Sequence, residues 1–61
     1  MNNYYIFINN GDINVIQVRG TREDAFTELN NILNSYERNG EYYNYELTDE
    51  KGNNIFTSYA N

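Results

Sequence analysis

The sequence predicts an α+β domain of order ββαββ: a four-stranded, mainly antiparallel sheet with one helix packed on one face. Three observations predict it. Two runs rich in aromatic and β-branched residues flank Asn10-Gly11, a stretch of helical period lies between Thr21 and Gly40, and two further strand-like runs flank a turn containing Gly52.

The first strand is expected at about residues 3–9 and the second at about 12–19. Asn-Gly between two such runs favours a two-residue type I′ turn, which needs positive φ at both central positions. That turn sets Asn9 opposite Asp12, Ile8 opposite Ile13, Ile6 opposite Val15 and Tyr4 opposite Gln17, all on one face. Tyr5, Phe7, Ile16 and Val18 then share the other.

Thr21 is a good N-cap, with Asp24 in the capping-box position and Glu23 and Asp24 suited to the positive end of the helix dipole. Ala25, Phe26, Leu29, Ile32, Leu33 and Tyr36 recur on one stripe, and Asn39-Gly40 supplies a stop, so the helix is expected over about 22–38. Strands three and four are expected at about 41–48 and 54–60. A three-residue loop with Gly52 left-handed places Asp49 opposite Asn53, Leu47 opposite Ile55, Tyr45 opposite Thr57 and Tyr43 opposite Tyr59.

One helix covers only one face of such a sheet. The expected covered set is Tyr4, Ile6, Ile8, Ile13, Val15, Tyr43, Leu47, Ile55 and Tyr59. The expected open set is Tyr5, Phe7, Ile16, Val18, Tyr42 and Phe56. A fully antiparallel sheet needs strand 1 beside strand 3, or strand 2 beside strand 4.

With 61 residues, the chain reads as one domain, 1–61, with a thin margin of stability. It has no Cys and no His, which removes disulfides, thiolate metal sites and the usual neutral-pH base, and leaves self-association as a means of support. Neither a catalytic centre, a cofactor site nor a metal site is expected. Ser35 and Ser58 have no base at a meaningful spacing, each Gly sits at a turn or helix boundary, and the 49–53 loop is too short for an EF-hand. No apolar run approaches a membrane span, and Met1-Asn2-Asn3-Tyr4 lacks the features of a signal peptide, so a cytoplasmic location is expected.

Nine acidic residues against four basic ones give a net charge of -5. Asn fills 13 positions while Lys51 is the only lysine, although A/T-rich codon usage supplies both. An acidic surface repels nucleic acid and suits a basic protein partner. Glu23, Asp24 and Glu28 lie off the helix stripe, and Glu46 and Glu50 lie around the second hairpin. These five are the candidates for electrostatic steering. Seven Tyr and three Phe are many for this length, and aromatic residues are enriched at interface cores. Tyr5, Phe7, Ile16, Val18, Tyr42 and Phe56 are the candidates for contact, with a homodimer or a protein target as partner. Direct nucleic-acid binding is disfavoured by the charge.

This whole-chain character (tiny, acidic, rich in Asn and Tyr, without Cys or His) resembles the small anti-defence and host-takeover proteins of bacteriophages. These include anti-CRISPR proteins, anti-restriction proteins, uracil-DNA glycosylase inhibitors and inhibitors of defence systems such as Hachiman. The resemblance covers the full length and transfers no site residue. It implies stoichiometric inhibition by binding, often as a homodimer, in the host-cell cytoplasm. The expected function is therefore a non-catalytic inhibitor of a defence or nucleic-acid-processing protein. The alternatives are a homo-oligomeric sponge for a nucleotide signal and a passive structural or regulatory subunit.

Overall fold

The computed structural model describes residues 2–40 and 43–58. Strands β1 (Asn2–Asn9) and β2 (Ile13–Gly20), helix α1 (Arg22–Asn39), and strands β3 (Asn44–Asp49) and β4 (Asn54–Thr57) follow in the expected order. They form one four-stranded sheet, β2-β1-β3-β4, in which every neighbouring pair is antiparallel. Strand 1 beside strand 3 is thus the arrangement adopted. Positions 41–42 and 59–60 of the expected third and fourth strands lie outside the described residues.

Local chemistry fixes both helix ends. The Asp24 N–H donates to Thr21 Oγ1 at 3.1 Å and the Thr21 N–H donates to Asp24 Oδ2 at 2.9 Å, a reciprocal capping box. Gly20 belongs to this device, because a Cβ there would collide with the Asp24 carboxylate. At the other end Gly40 adopts φ 69°, and its N–H donates to the carbonyl of Glu37 at 3.1 Å.

The first hairpin departs from expectation by one residue. Asn9 pairs with Ile13, so the loop is Asn10-Gly11-Asp12. Phe7 then faces Val15, Ile6 faces Ile16, and Tyr4 faces Val18. A type I′ turn needs two positive φ values, whereas only Gly11, at 111°, has one here. The Asn9 side chain instead accepts the Gly11 N–H at 3.1 Å and turns the chain one residue early. A one-residue slip exchanges the faces of the whole strand. Ile16 and Val18, expected on the open face, therefore pack against the core under α1, and Ile13 and Val15, expected in the core, are exposed.

The second hairpin begins as expected. Asp49 N–H donates to the Asn53 carbonyl at 3.0 Å, and Gly52 has φ 87°. Thr48 pairs with Asn54, but a bulge follows, and Leu47 then faces Phe56 while Glu46 faces Thr57. The expected pairings of Leu47 with Ile55 and of Tyr45 with Thr57 are lost. Ile55 still packs against the core, and Phe56 crosses to the helix side. The expected Tyr43–Tyr59 pairing lies outside the described residues.

The core is Tyr4, Ile6, Ile8, Ala25, Leu29 and Leu47, with Ile16, Val18, Ile32 and Leu33 packed around it. The helix lies chiefly over β2 and β1. The wedge beside β3 and β4 is filled by rings. Tyr36–Tyr43, Tyr43–Tyr45, Tyr45–Phe56 and Phe56–Phe26 have centroids 5.3, 6.0, 5.8 and 6.2 Å apart. This arc ties both halves of α1 to the second hairpin by tilted aromatic contacts.

Candidate functional site

The face of the sheet away from α1 is uncovered by any element among the described residues. Its side chains form cross-strand rows, because directly opposed residues project from the same face. One row is Val15, Phe7, Glu46 and Thr57; the next is Gln17, Tyr5, Thr48 and Asn54. Ile13, Asn9 and Asn44 form the row at one end, and Arg19 with Asn3 the row at the other.

Apolar exposure concentrates at one corner. Ile13 is 70% exposed and Val15 55%, and half-buried Phe7 stands against Val15. A shallow hollow of about 170 Å³ adjoins them, with Phe7, Asn9, Ile13 and Glu46 in its lining. The surrounding groups are polar: Glu46 accepts the Asn54 Nδ2–H at 2.8 Å, and Gln17 donates to Asn3 Oδ1 at 3.2 Å. The exposed side chains of Ile13 and Val15 thus stand within a hydrogen-bonded polar border.

Of the expected contact residues, Tyr5 and Phe7 lie on this face. Ile16 and Val18 do not; they are beneath the helix. Phe56 is 45% exposed, but it stands on the helix side, where its ring meets Phe26 and Tyr45. Tyr42 lies outside the described residues. Ile13 and Val15 take the places that Ile16 and Val18 were expected to hold. The signal for them was Asn9, whose side chain is placed to bend the chain before Asn10-Gly11 begins.

The expected acidic set divides between two sides. Glu46 is on the open face, beside Phe7. Glu23, Asp24 and Glu28 are carried by α1, which covers the opposite face, so they do not border the apolar cluster. The Asp24 carboxylate is occupied by the capping box. Glu50 is exposed in the β3–β4 turn, next to Asp49.

Asp49 organises that turn. Its Oδ1 accepts the N–H groups of Lys51 and Asn53, each at 2.9 Å, and its Oδ2 accepts Asn53 Nδ2–H at 3.2 Å. The backbone N–H of Asn53 foremost, with the Asn53 amide, the Lys51 N–H and the Lys51 charge assisting, holds this carboxyl below its ordinary range. Burial first, and the nearby Glu37 carboxylate second, push the Tyr43 phenol up.

A wider hollow of about 410 Å³ is lined by Asn2, Tyr4, Asp49, Glu50, Lys51 and Asn53. Two carboxylates against one ammonium make it a poor seat for a phosphate. Among the described residues, no three Asp or Glu side chains come together as a metal cage, and no helix is long and apolar enough to cross a membrane. No protein-family model, curated protein or solved structure matches this chain.

Proposed function

We propose that this chain acts by binding, as a small non-catalytic inhibitor that covers a surface of a bacterial defence or nucleic-acid-processing protein. The observation that carries the reading is the uncovered cluster of Ile13, Val15 and Phe7 beside Glu46 on the open face of the sheet. A chain of this size with a thin stability margin gains nothing for its own fold from such exposure, whereas a partner surface would bury it.

The two kinds of expected site residue then have separate roles. The open face supplies contact area and governs how long a complex lasts. Glu23 and Glu28, on the far side of the molecule, act only through the long-range field of a chain with net charge -5. That field speeds encounter with a basic surface and is screened over about 8–10 Å at ordinary salt.

The test is capture of partners from bacterial lysate with the tagged chain, followed by binding kinetics with the protein recovered. The double variant Phe7→Ser/Val15→Ser should release that protein at least tenfold faster at an unchanged helical signal. The double variant Glu23→Gln/Glu28→Gln should slow association and blunt its salt dependence while leaving the release rate alone. A Phe7→Ser/Val15→Ser variant that captures and releases the same protein at wild-type rates would refute the assignment.

A further inference from the structure

The two edges of this sheet are managed in opposite ways. β4 is four residues long, and a bulge breaks its pairing with β3. Shortness and bulges are the usual means of preventing another strand from adding to an edge. β2 has neither. It runs unbroken for eight residues, Ile-Asn-Val-Ile-Gln-Val-Arg-Gly, without Pro, Lys or a carboxylate.

The peptide groups on that edge are assignable from the ladder. The Tyr45 N–H and C=O both bond to Ser58, and the Asp49 N–H bonds to Asn53, so these residues direct their peptide groups at the β4 side. Alternation along an antiparallel strand then turns those of Asn44, Glu46 and Thr48 toward β1. Their partners Asn9, Phe7 and Tyr5 turn toward β3, leaving Tyr4, Ile6 and Ile8 to bond β2 through Val18, Ile16 and Asn14. Ile13, Val15, Gln17 and Arg19 consequently point their N–H and C=O groups outward, where no described strand meets them.

We infer that a second copy of this chain occupies the β2 edge, its own β2 antiparallel to the first about a two-fold axis at Ile16. That register is the one in which all four outward residues find partners. Ile13 pairs with Arg19 of the second copy, and Val15 with Gln17 of the second copy, each twice by symmetry. Face parity is kept, since all four belong to the open face. Charge fits too. β1 and β2 carry no carboxylate, so the paired strands bring no acidic groups together within the sheet, and the second hairpins lie at its two far ends, while both copies of α1 lie on the same side of it. The single charge on β2, Arg19, comes beside Asp12 of the second copy and far from its own symmetry mate. The Arg19 methylene stem also shields Ile13, which is 70% exposed in the single chain. The product is an open eight-stranded sheet that grows no further, because each remaining edge is a short, bulged β4. A domain without disulfides gains stability from such an assembly.

Ile13 and Val15 belong to both surfaces, their peptide groups facing the second copy and their side chains the open face, and the variants used here leave Phe7, Ile13 and Val15 intact. The experiment is sedimentation equilibrium of the untagged chain across micromolar to millimolar concentration, with amide exchange by NMR at both ends of the range. The expected result is a monomer–dimer equilibrium limiting at twice 7.2 kDa. The amides of Ile13, Val15, Gln17 and Arg19 should gain protection with concentration, while those of Asn14, Ile16 and Val18 stay protected throughout. Gln17→Pro deletes an outward N–H, keeps the backbone ladder to β1 while losing the Gln17–Asn3 side-chain bond, and should weaken dimerisation at least tenfold. Arg19→Glu should weaken it severalfold, and Asp12→Arg/Arg19→Glu should restore it. A single-chain mass at every concentration, or species larger than two chains, overturns the proposal. So does a wild-type dissociation constant in a folded Gln17→Pro chain; the same constant in Arg19→Glu overturns the register.

Discussion

Phe7 of β1 stands directly opposite Val15 of β2, and this pairing decides which half of β2 the helix covers. With Phe7 and Val15 on the open face, Ile6 and Ile16 lie opposite one another on the other. The same apolar residues in the alternative register would have put Ile13 under α1 and Ile16 in solvent.

The register is checked by a pair of substitutions. Val15→Ser should change stability by no more than about 0.5 kcal/mol, as for an exposed site. Ile16→Ser should cost about 1–3 kcal/mol, because it removes a partly buried branched side chain and leaves a hydroxyl under the helix. Urea denaturation of both variants decides, and the reverse order of midpoints would restore the two-residue turn.

Gly20 and Asp24 form one structural unit, since the capping carboxylate lies where a Cβ would go. Gly20→Ala should displace that carboxylate and cost about 1–2 kcal/mol, similar to Asp24→Ala. The double variant should cost much less than the sum, since one cap is lost once. Additive losses would mean that Gly20 matters for another reason.

The aromatic arc predicts a large effect at a half-exposed position. Phe56→Ala removes contacts to both Phe26 and Tyr45, so it should cost about 1–3 kcal/mol despite 45% exposure. Thermal melting monitored by near-ultraviolet circular dichroism of the tyrosines gives the answer. A loss under about 0.5 kcal/mol would mean that the β4 ring is merely resting on the surface.

Asp49 sets an acid limit on the second hairpin. Its carboxyl is held below the ordinary range, so the folded state favours the ionised form. The contribution is therefore fully present above the carboxyl's unfolded pKa and is lost as pH falls through the lowered folded value. Asp49→Asn keeps an acceptor for Lys51 and Asn53 but does not titrate. Its urea midpoint should fall less steeply than wild type below the ordinary aspartate range, and parallel acid limbs would contradict this.

Much of the fold was legible along the chain because its determinants are local. Thr21 with Asp24 started the helix, Gly40 ended it, and the apolar period of Ala25, Phe26, Leu29, Ile32, Leu33 and Tyr36 identified its inner stripe. The turn of Asp49 around Gly52 was equally explicit, since one carboxylate and one left-handed glycine suffice to form it. These interactions span three or four residues, and composition alone fixed the net charge and the absence of Cys and His.

Which residues share a face was decided only in three dimensions. β2 carries apolar residues in both alternation frames, Ile13 and Val15 in one and Ile16 and Val18 in the other, so its pattern does not choose between them. The frame adopted is the one that packs Ile16 and Val18 against the core under α1, and the Asn9 side chain, by taking the Gly11 N–H, supports the loop that goes with it. Likewise the bulge opposite Leu47 moved Phe56 to the helix side, where Phe26 waits as a partner. The separation of Glu23 and Glu28 from the apolar cluster follows from the same layer packing, because the helix that carries them covers the face that the cluster does not occupy. Side-chain direction in a sheet depends on counting from a turn, and where both frames of a strand are apolar it is the packing of one face against the helix that makes the choice.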